Sequence, residues 1–157
     1  MEKAKKLATN ILIAFALISL GFMLGKNSVK PDGNAGSQTK IANSEHVAVY
    51  YLHSTFRCVT CNTIEKLTRE LLNTSYDDEL ANEKIVWREI DFQENETMAQ
   101  KFDVIASTVV VGRVKKGKFV EYQRLDKVWE LVERPQAFKN YIAGAIDEAL
   151  AKMEGRE

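Results

Sequence analysis

A chain of 157 residues has room for one domain and an appendage, and its 45% hydrophobic content is enough to give that domain a core. The 22 lysines and arginines are cancelled by 22 aspartates and glutamates, and no basic strip runs between the aromatic residues. That balance excludes a protein held to nucleic acid by phosphate contacts.

In chain order, the first feature is apolar. Lys3, Lys5 and Lys6 precede a nearly uncharged run from Leu7 to Leu24, eighteen residues long. A helix needs ~20 residues to cross the ~30 Å hydrocarbon core of a bilayer. The run is longer than the apolar part of a cleavable signal, no small-x-small cleavage site follows it, and no cysteine stands after it to carry lipid. Residues 1–25 therefore read as an uncleaved signal anchor, a single transmembrane helix, in preference to a cleaved signal peptide. Three lysines and the N-terminal amine before the span outweigh Lys26 and Lys30 after it. The positive-inside rule then keeps the N-terminus in the cytoplasm and sets the rest on the extracytoplasmic, periplasmic side of the cytoplasmic membrane. Residues 26–45, rich in Gly, Ser, Asn and Lys with Pro31 and Gly33, have neither helical nor strand period. They read as a flexible linker with an r.m.s. reach of about 25 Å.

Residues 46–153 read as one α/β domain. The stretch from His46 to His53 alternates and is rich in β-branched and aromatic residues, which predicts a strand. From Cys58 to about Thr74 the spacing predicts a helix, with Ile64, Leu67, Leu71 and Leu72 on one face and Glu65, Lys66 and Arg69 on a solvated one. Asp77 to Glu83 is polar, a helix end or loop. A second strand follows from Ile85 to Phe92, then a short helix capped by Asn95 with Met98, Ala99 and Phe102 on its apolar face. Thr108 to Lys115 is a third strand, its three valines implying burial on both faces. Lys116 and Gly117 turn the chain into a fourth strand, Lys118 to Leu125, to make a hairpin. Asp126 is expected to cap a short helical segment holding Trp129. Pro135 suits the first turn of a last helix, whose apolar positions run Phe138, Tyr141, Ile142, Ala145, Ile146, Ala149 and Leu150. The order is β-α-β-α-β-β-α, a mixed central sheet with helices on both faces, and the first crossover makes strands one and two parallel.

The only two cysteines stand together as Cys58-Val59-Thr60-Cys61, at the start of the first helix and just beyond the carboxyl end of the first strand. Unpaired N–H groups and the positive end of the helix dipole favour thiolate there. The second thiol lies one turn along, placed to attack a mixed disulfide formed by the first. Two-cysteine exchange is the leading reading. An oxidising compartment outside the membrane agrees with it.

A strand, Cys-x-x-Cys at a helix start and the remaining β-α-β-β-α resemble a thioredoxin fold over about Glu45 to Leu150. Glu89-Ile90-Asp91, Lys101-Phe102-Asp103-Val104 and Lys115-Lys116-Gly117-Lys118 are similar to segments of that superfamily. Within it, the run from Tyr50 to Cys61 and the stretch from Leu125 to Leu131 resemble a small membrane-anchored bacterial family. That family is known as the ArsF subunit of a nitrophenyl-compound nitroreductase and is linked to arsenical resistance. The resemblance implies Cys58 and Cys61 as catalytic residues. It also shows departures. Ser107, followed by Thr108, stands where a cis-proline usually faces the cysteines, and a non-proline residue there is expected to be trans. Leu52 stands where a buried acid is usual, so proton transfer would need another base, such as His53 or water. Arg57 replaces an aromatic residue, and its charge is expected to favour thiolate on Cys58. Arg57, Ser107, Thr108 and His53 are thus supporting candidates.

No cofactor is expected, because the chain has no Gly-rich phosphate loop or flavin fingerprint. If the nitroreductase link holds, this chain delivers electrons and is not the flavin catalyst. The expected partner is a protein dithiol or disulfide, such as a membrane oxidoreductase or permease, with the membrane itself engaged through Leu7 to Leu24. Two other readings stay open. One is a dithiol carrier for a soft metal or trivalent arsenical, although His46 and His53 lie on opposite faces of their strand and no metal site of four ligands can be assembled. The other is an adaptor with a purely structural disulfide, which so short a loop would stabilise little. Trp87 and Trp129 read as packing residues.

Overall fold

Alternation along His46–His53 sends Val47, Val49 and Tyr51 to one side of a sheet and Ala48, Tyr50 and Leu52 to the other, and all six are buried. A strand apolar on both sides belongs in the middle of a sheet, and this one is there. In the computed structural model, which describes residues 44–155, β1 (His46–His53) pairs in parallel with β2 (Ile85–Asp91) and antiparallel with β3 (Thr108–Lys115). β4 (Lys118–Arg124) completes a four-stranded sheet of order β2-β1-β3-β4. The order of the elements, the parallel first pair and the position of the cysteines agree with the thioredoxin-like arrangement expected above. The anchor read at 1–25 and the linker up to residue 43 lie outside the described residues. Among the described residues no helix is long and apolar enough to cross a membrane.

Helices lie on both faces. α1 (Val59–Ser75) buries Ile64, Leu67, Leu71 and Leu72, the positions its spacing predicts, together with Cys61 and Thr68. α5 (Pro135–Met153) starts on Pro135 and buries Phe138, Ile142, Ala145, Ile146, Ala149 and Leu150, while Tyr141 is half-buried. These two helices cover the Val47–Val49–Tyr51 side. The opposite side is closed by α3 (Glu96–Phe102), whose N-cap Asn95 accepts the Met98 N–H at 3.2 Å. Phe102 and Val104 meet Ala48, Tyr50, Leu52 and Val110 there.

Two short helices complete the set, one in the stretch read as a helix end or loop and one in the short helical segment expected around Trp129. α2 (Asp77–Ala81) begins where α1 stops, its acidic first turn matching the positive end of the dipole. α4 (Val128–Leu131) carries Trp129, but its N-cap is Lys127 and no side chain caps it. Asp126 instead pairs with Arg124 at 2.9 Å and lies 3.5 Å from the Thr108 hydroxyl, so the capping role expected of it is not filled. A charged neighbour two residues back competes successfully for that carboxylate. The β3–β4 turn is made by Lys116 and Gly117, with φ of 51° and 72°. Those positive values are the ones that match a hairpin's twist.

His46 is 3% exposed and its Nδ1 has no hydrogen-bond partner. Burial, helped by the smaller push of the Arg88 charge, holds its imidazole below the ordinary value of 6.5 against the opposing pull of the Ser44 backbone. The unfolded chain therefore takes up this proton at higher pH than the folded one. The stabilising contribution is full above about pH 6.5 and is lost as pH falls through that value towards the folded pKa. Urea midpoints taken at about pH 7.5 and about pH 5.5 are expected to drop in the wild type and to drop less in His46→Gln.

Candidate active site

Between the end of β1 and the start of α1 the chain has five residues, and the last is Cys58. Its extended backbone (φ −80°, ψ 166°) makes it the N-cap of α1, and its sulfur accepts the Cys61 N–H at 3.0 Å. Serine or aspartate would be the stronger cap. A sulfur in that role gains something else, since the donor that caps the helix also stabilises a thiolate, as does the helix dipole behind it. Cys58 and Cys61 are joined as a disulfide with Cα atoms 5.0 Å apart. Cys58 is half-buried and Cys61 is 5% exposed. One sulfur can be approached from outside, and the other backs it.

Arg57 does not act as a free charge beside Cys58. Its guanidinium pairs with Glu65, lies 3.9 Å from Glu89 and sits 5.5 Å from the centre of the Tyr51 ring. Arg69 closes the group through Glu65 (3.2 Å) and Glu89. Two cations and two anions cancel, so the helix start and not Arg57 is the main support for a Cys58 thiolate. The same cluster corrects the reading of Glu65 as part of a solvated face. Glu65 is half-buried because β2 brings Glu89 under α1, a contact between segments distant in sequence.

The acid position assigned to Leu52 needs correction too. Leu52 packs with Phe102 and Val104, on the side of the sheet away from α1. The residue facing α1 is Tyr51, fully buried, whose hydroxyl donates to the Cys61 carbonyl at 2.7 Å. Burial pushes its phenol above the ordinary 10.0, while hydrogen bonds from Ser107 and Arg57 act the other way. Tyr51 is the site residue that the sequence reading missed. Its signal was the alternation with Val47 and Val49, which places it under the helix that bears the cysteines.

The supporting candidates divide. Ser107 is buried, its side chain faces the Tyr51 hydroxyl, and its carbonyl accepts the Trp129 indole N–H at 2.7 Å. Thr108 turns its hydroxyl towards Asp126 and pairs through its backbone with Leu52. His53 packs its ring against Tyr51 (5.6 Å between centres) and donates from Nδ1 to the Ser54 carbonyl at 3.0 Å. The described residues contain no cis peptide bond, so Ala106 and Ser107 are joined in trans, as expected. Trp129 does more than pack, since its indole fixes the segment that precedes β3. Beside it lies an open hollow of about 320 Å³, lined by Ile105, Ala106, Ser107, Arg124, Asp126 and Trp129 among others. Phe56 and Val59, flanking Cys58, are both 84% exposed and Ile105 is 92% exposed. Among the described residues no group of three or more His, Cys, Asp or Glu is arranged to hold a metal ion.

No protein-family profile and no curated protein matches the chain. Similar solved structures include Trxlp from Edwardsiella tarda, with 17% identity over 68% of this chain and 91% of that one and a TM-score of 0.44. Mitochondrial thioredoxin 3 from Saccharomyces cerevisiae in its oxidised form has 17% identity over 69% and 88%, with a TM-score of 0.42. The germline-specific thioredoxin Deadhead from Drosophila melanogaster has 16% identity over 70% and 96%, with a TM-score of 0.41.

Proposed function

We propose that the chain is a thiol–disulfide oxidoreductase, tethered to the cytoplasmic membrane by the segment from Leu7 to Leu24, with its domain on the extracytoplasmic side. The observation that carries the chemistry is the pairing of a half-buried Cys58 at a helix N-cap with a buried Cys61 whose N–H points at its sulfur. In the reduced protein the Cys58 thiolate attacks one sulfur of a partner disulfide. A Cys58–partner bond forms, the partner's own S–S bond breaks, and the other partner sulfur leaves as thiolate. Cys61 then gives up its proton and attacks the Cys58 sulfur, which releases the partner as a dithiol. Two electrons have passed to the partner, and the Cys58–Cys61 disulfide remains. The reverse sequence oxidises a dithiol, and the reduction potential sets the direction.

The exposed apolar side chains of Phe56, Val59 and Ile105 suit a protein partner better than a small solute, because isolated apolar groups around a reactive sulfur gain from being covered. Such a partner would be a membrane oxidoreductase or permease with accessible thiols. Kinship with the anchored ArsF family rests on the sequence from Tyr50 to Cys61 and from Leu125 to Leu131. In that setting the chain would deliver electrons to a separate catalyst. Carriage of a soft ion has no comparable support, since no third donor is gathered beside the two sulfurs among the described residues.

The direct test uses the full chain in detergent. Reduction of insulin by dithiothreitol is expected to accelerate in its presence, and the Cys58–Cys61 pair is expected to equilibrate with glutathione buffers. A pair that neither speeds insulin reduction nor exchanges with glutathione would refute the proposal.

A further inference from the structure

Tyr51 makes an unusual set of contacts for a core residue. It is 0% exposed, its ring lies parallel to Trp87 with centres 6.5 Å apart, and the Arg57 guanidinium sits on it at 5.5 Å. A phenol buried among rings needs a partner for its hydroxyl, and it finds the carbonyl of Cys61, at 2.7 Å. That carbonyl is inside α1, where the helix ladder already supplies a donor, so the bond is an extra tie between the cysteine-bearing turn and β1. The one hydrogen bond that this hydroxyl donates runs to the Cys61 carbonyl, so its proton is committed to that turn.

We infer that Tyr51 is a positioning residue for the resolving thiol: its buried hydroxyl pins the backbone of Cys61 to the sheet, so that the Cys61 sulfur is held where it closes on Cys58. The inference rests on the exchange function proposed above and adds to it the group that orients the second step. Tyr51 is no substitute for the missing acid as a proton acceptor. Burial keeps the phenol neutral, so it serves as a donor. In the second step the bond between Cys58 and the partner breaks as the Cys58–Cys61 bond forms. The Cys61 proton passes to the departing partner sulfur or to water, and Tyr51 keeps its own proton throughout. What it supplies is effective concentration. A sulfur fixed within a narrow volume closes the ring more often than one on a loosened turn.

The test is Tyr51→Phe in the full chain, which removes one oxygen and keeps the ring. A hydrogen bond of ordinary net worth corresponds to about fivefold in an equilibrium constant. Against glutathione, the constant for closing the Cys58–Cys61 disulfide is expected to fall about fivefold, a potential less negative by about 20 mV. The mixed disulfide between Cys58 and glutathione should persist several times longer, while the alkylation rate of reduced Cys58 stays as in the wild type. If Tyr51 only packs the core, the melting temperature drops but the closing constant and the mixed-disulfide lifetime do not move, and the inference is wrong. Should the variant fail to fold, difluorotyrosine at position 51, a stronger donor of the same shape, must shift the constant the opposite way. No shift there also overturns the inference. A wild type that does not exchange with glutathione at all strikes down the proposed function, whereas normal exchange with an unaltered Tyr51→Phe removes only the role of Tyr51.

Discussion

Cys58→Ser brings insulin reduction down to the uncatalysed rate, whereas Cys61→Ser still completes the first attack and then stops. The asymmetry follows from position. Cys58 is the sulfur at the helix N-cap that a partner can reach, and Cys61 lies buried behind it. Without Cys58 no thiolate is available at the surface. Without Cys61 the mixed disulfide on Cys58 must wait for an external thiol, because the intramolecular attack that would release it is gone. Well-placed intramolecular nucleophiles reach effective molarities far above any thiol in solution, so the lifetime of that adduct should lengthen by at least about 10³-fold. Non-reducing electrophoresis of Cys61→Ser mixed with oxidised insulin, or with a membrane extract, is expected to show a dithiothreitol-sensitive adduct. The Cys58→Ser protein should show none. Equal insulin turnover in the wild type and both variants would mean that the pair does not carry the activity. Adducts forming faster on Cys61 than on Cys58 would reverse the two roles.

The second large effect is expected on stability. Phe138→Ala is predicted to cost about 3–5 kcal/mol, the range for deleting a fully buried phenylalanine. Phe138 is 0% exposed and belongs to the cluster that joins α5 to α1 and to Val47, Val49 and Tyr51. A domain of this size has about 5–15 kcal/mol in all, so the loss takes a large share of the total. Urea denaturation should show a lower midpoint with an unchanged slope, and at roughly 4 °C per kcal/mol the melting temperature should fall by roughly 12–20 °C. The site should feel the change as well, because α1 carries the cysteines and rests on the same cluster. A shift of less than about 1 kcal/mol would show that the neighbours collapse into the space, against the close packing seen here.

The periodic parts of the fold were legible from residues alone. Val47, Val49 and Tyr51 alternate with Ala48, Tyr50 and Leu52, and both sets are buried, as a central strand requires. The i, i+3, i+4 pattern from Phe138 to Leu150 matches the buried face of α5 almost residue for residue. Asn95 caps α3 as read, and Lys116-Gly117 makes the hairpin turn. The cysteine pair was legible because its chemistry depends on a local fact, the start of a helix, that a strand followed by an apolar helical repeat already marks.

What was misread has a common cause. Leu52 falls at the acid position only by a count back from Cys58, and a count through a loop does not tell which side of the strand a residue faces. Arg57 looks like a free charge beside Cys58, but Glu65 and Glu89, from two other elements, neutralise it. Asp126 was expected to cap a helix, and it instead meets Arg124 and Thr108 from the neighbouring strands.

The residues by themselves determined the order of elements, the two-sided burial of β1 and β3, the placement of the thiols at a helix start, and the apolar run from Leu7 to Leu24 that lies outside the described residues. All of these are encoded by periods of two and 3.6 or by neighbours within a turn. Only the tertiary structure decided that Tyr51 lies beneath Cys61, that two arginines and two glutamates neutralise one another beside the site, and that Trp129 ties down Ser107. Those contacts join residues 8 to 22 positions apart, and their partners are set by how the sheet and helices pack, which no local pattern in the chain records.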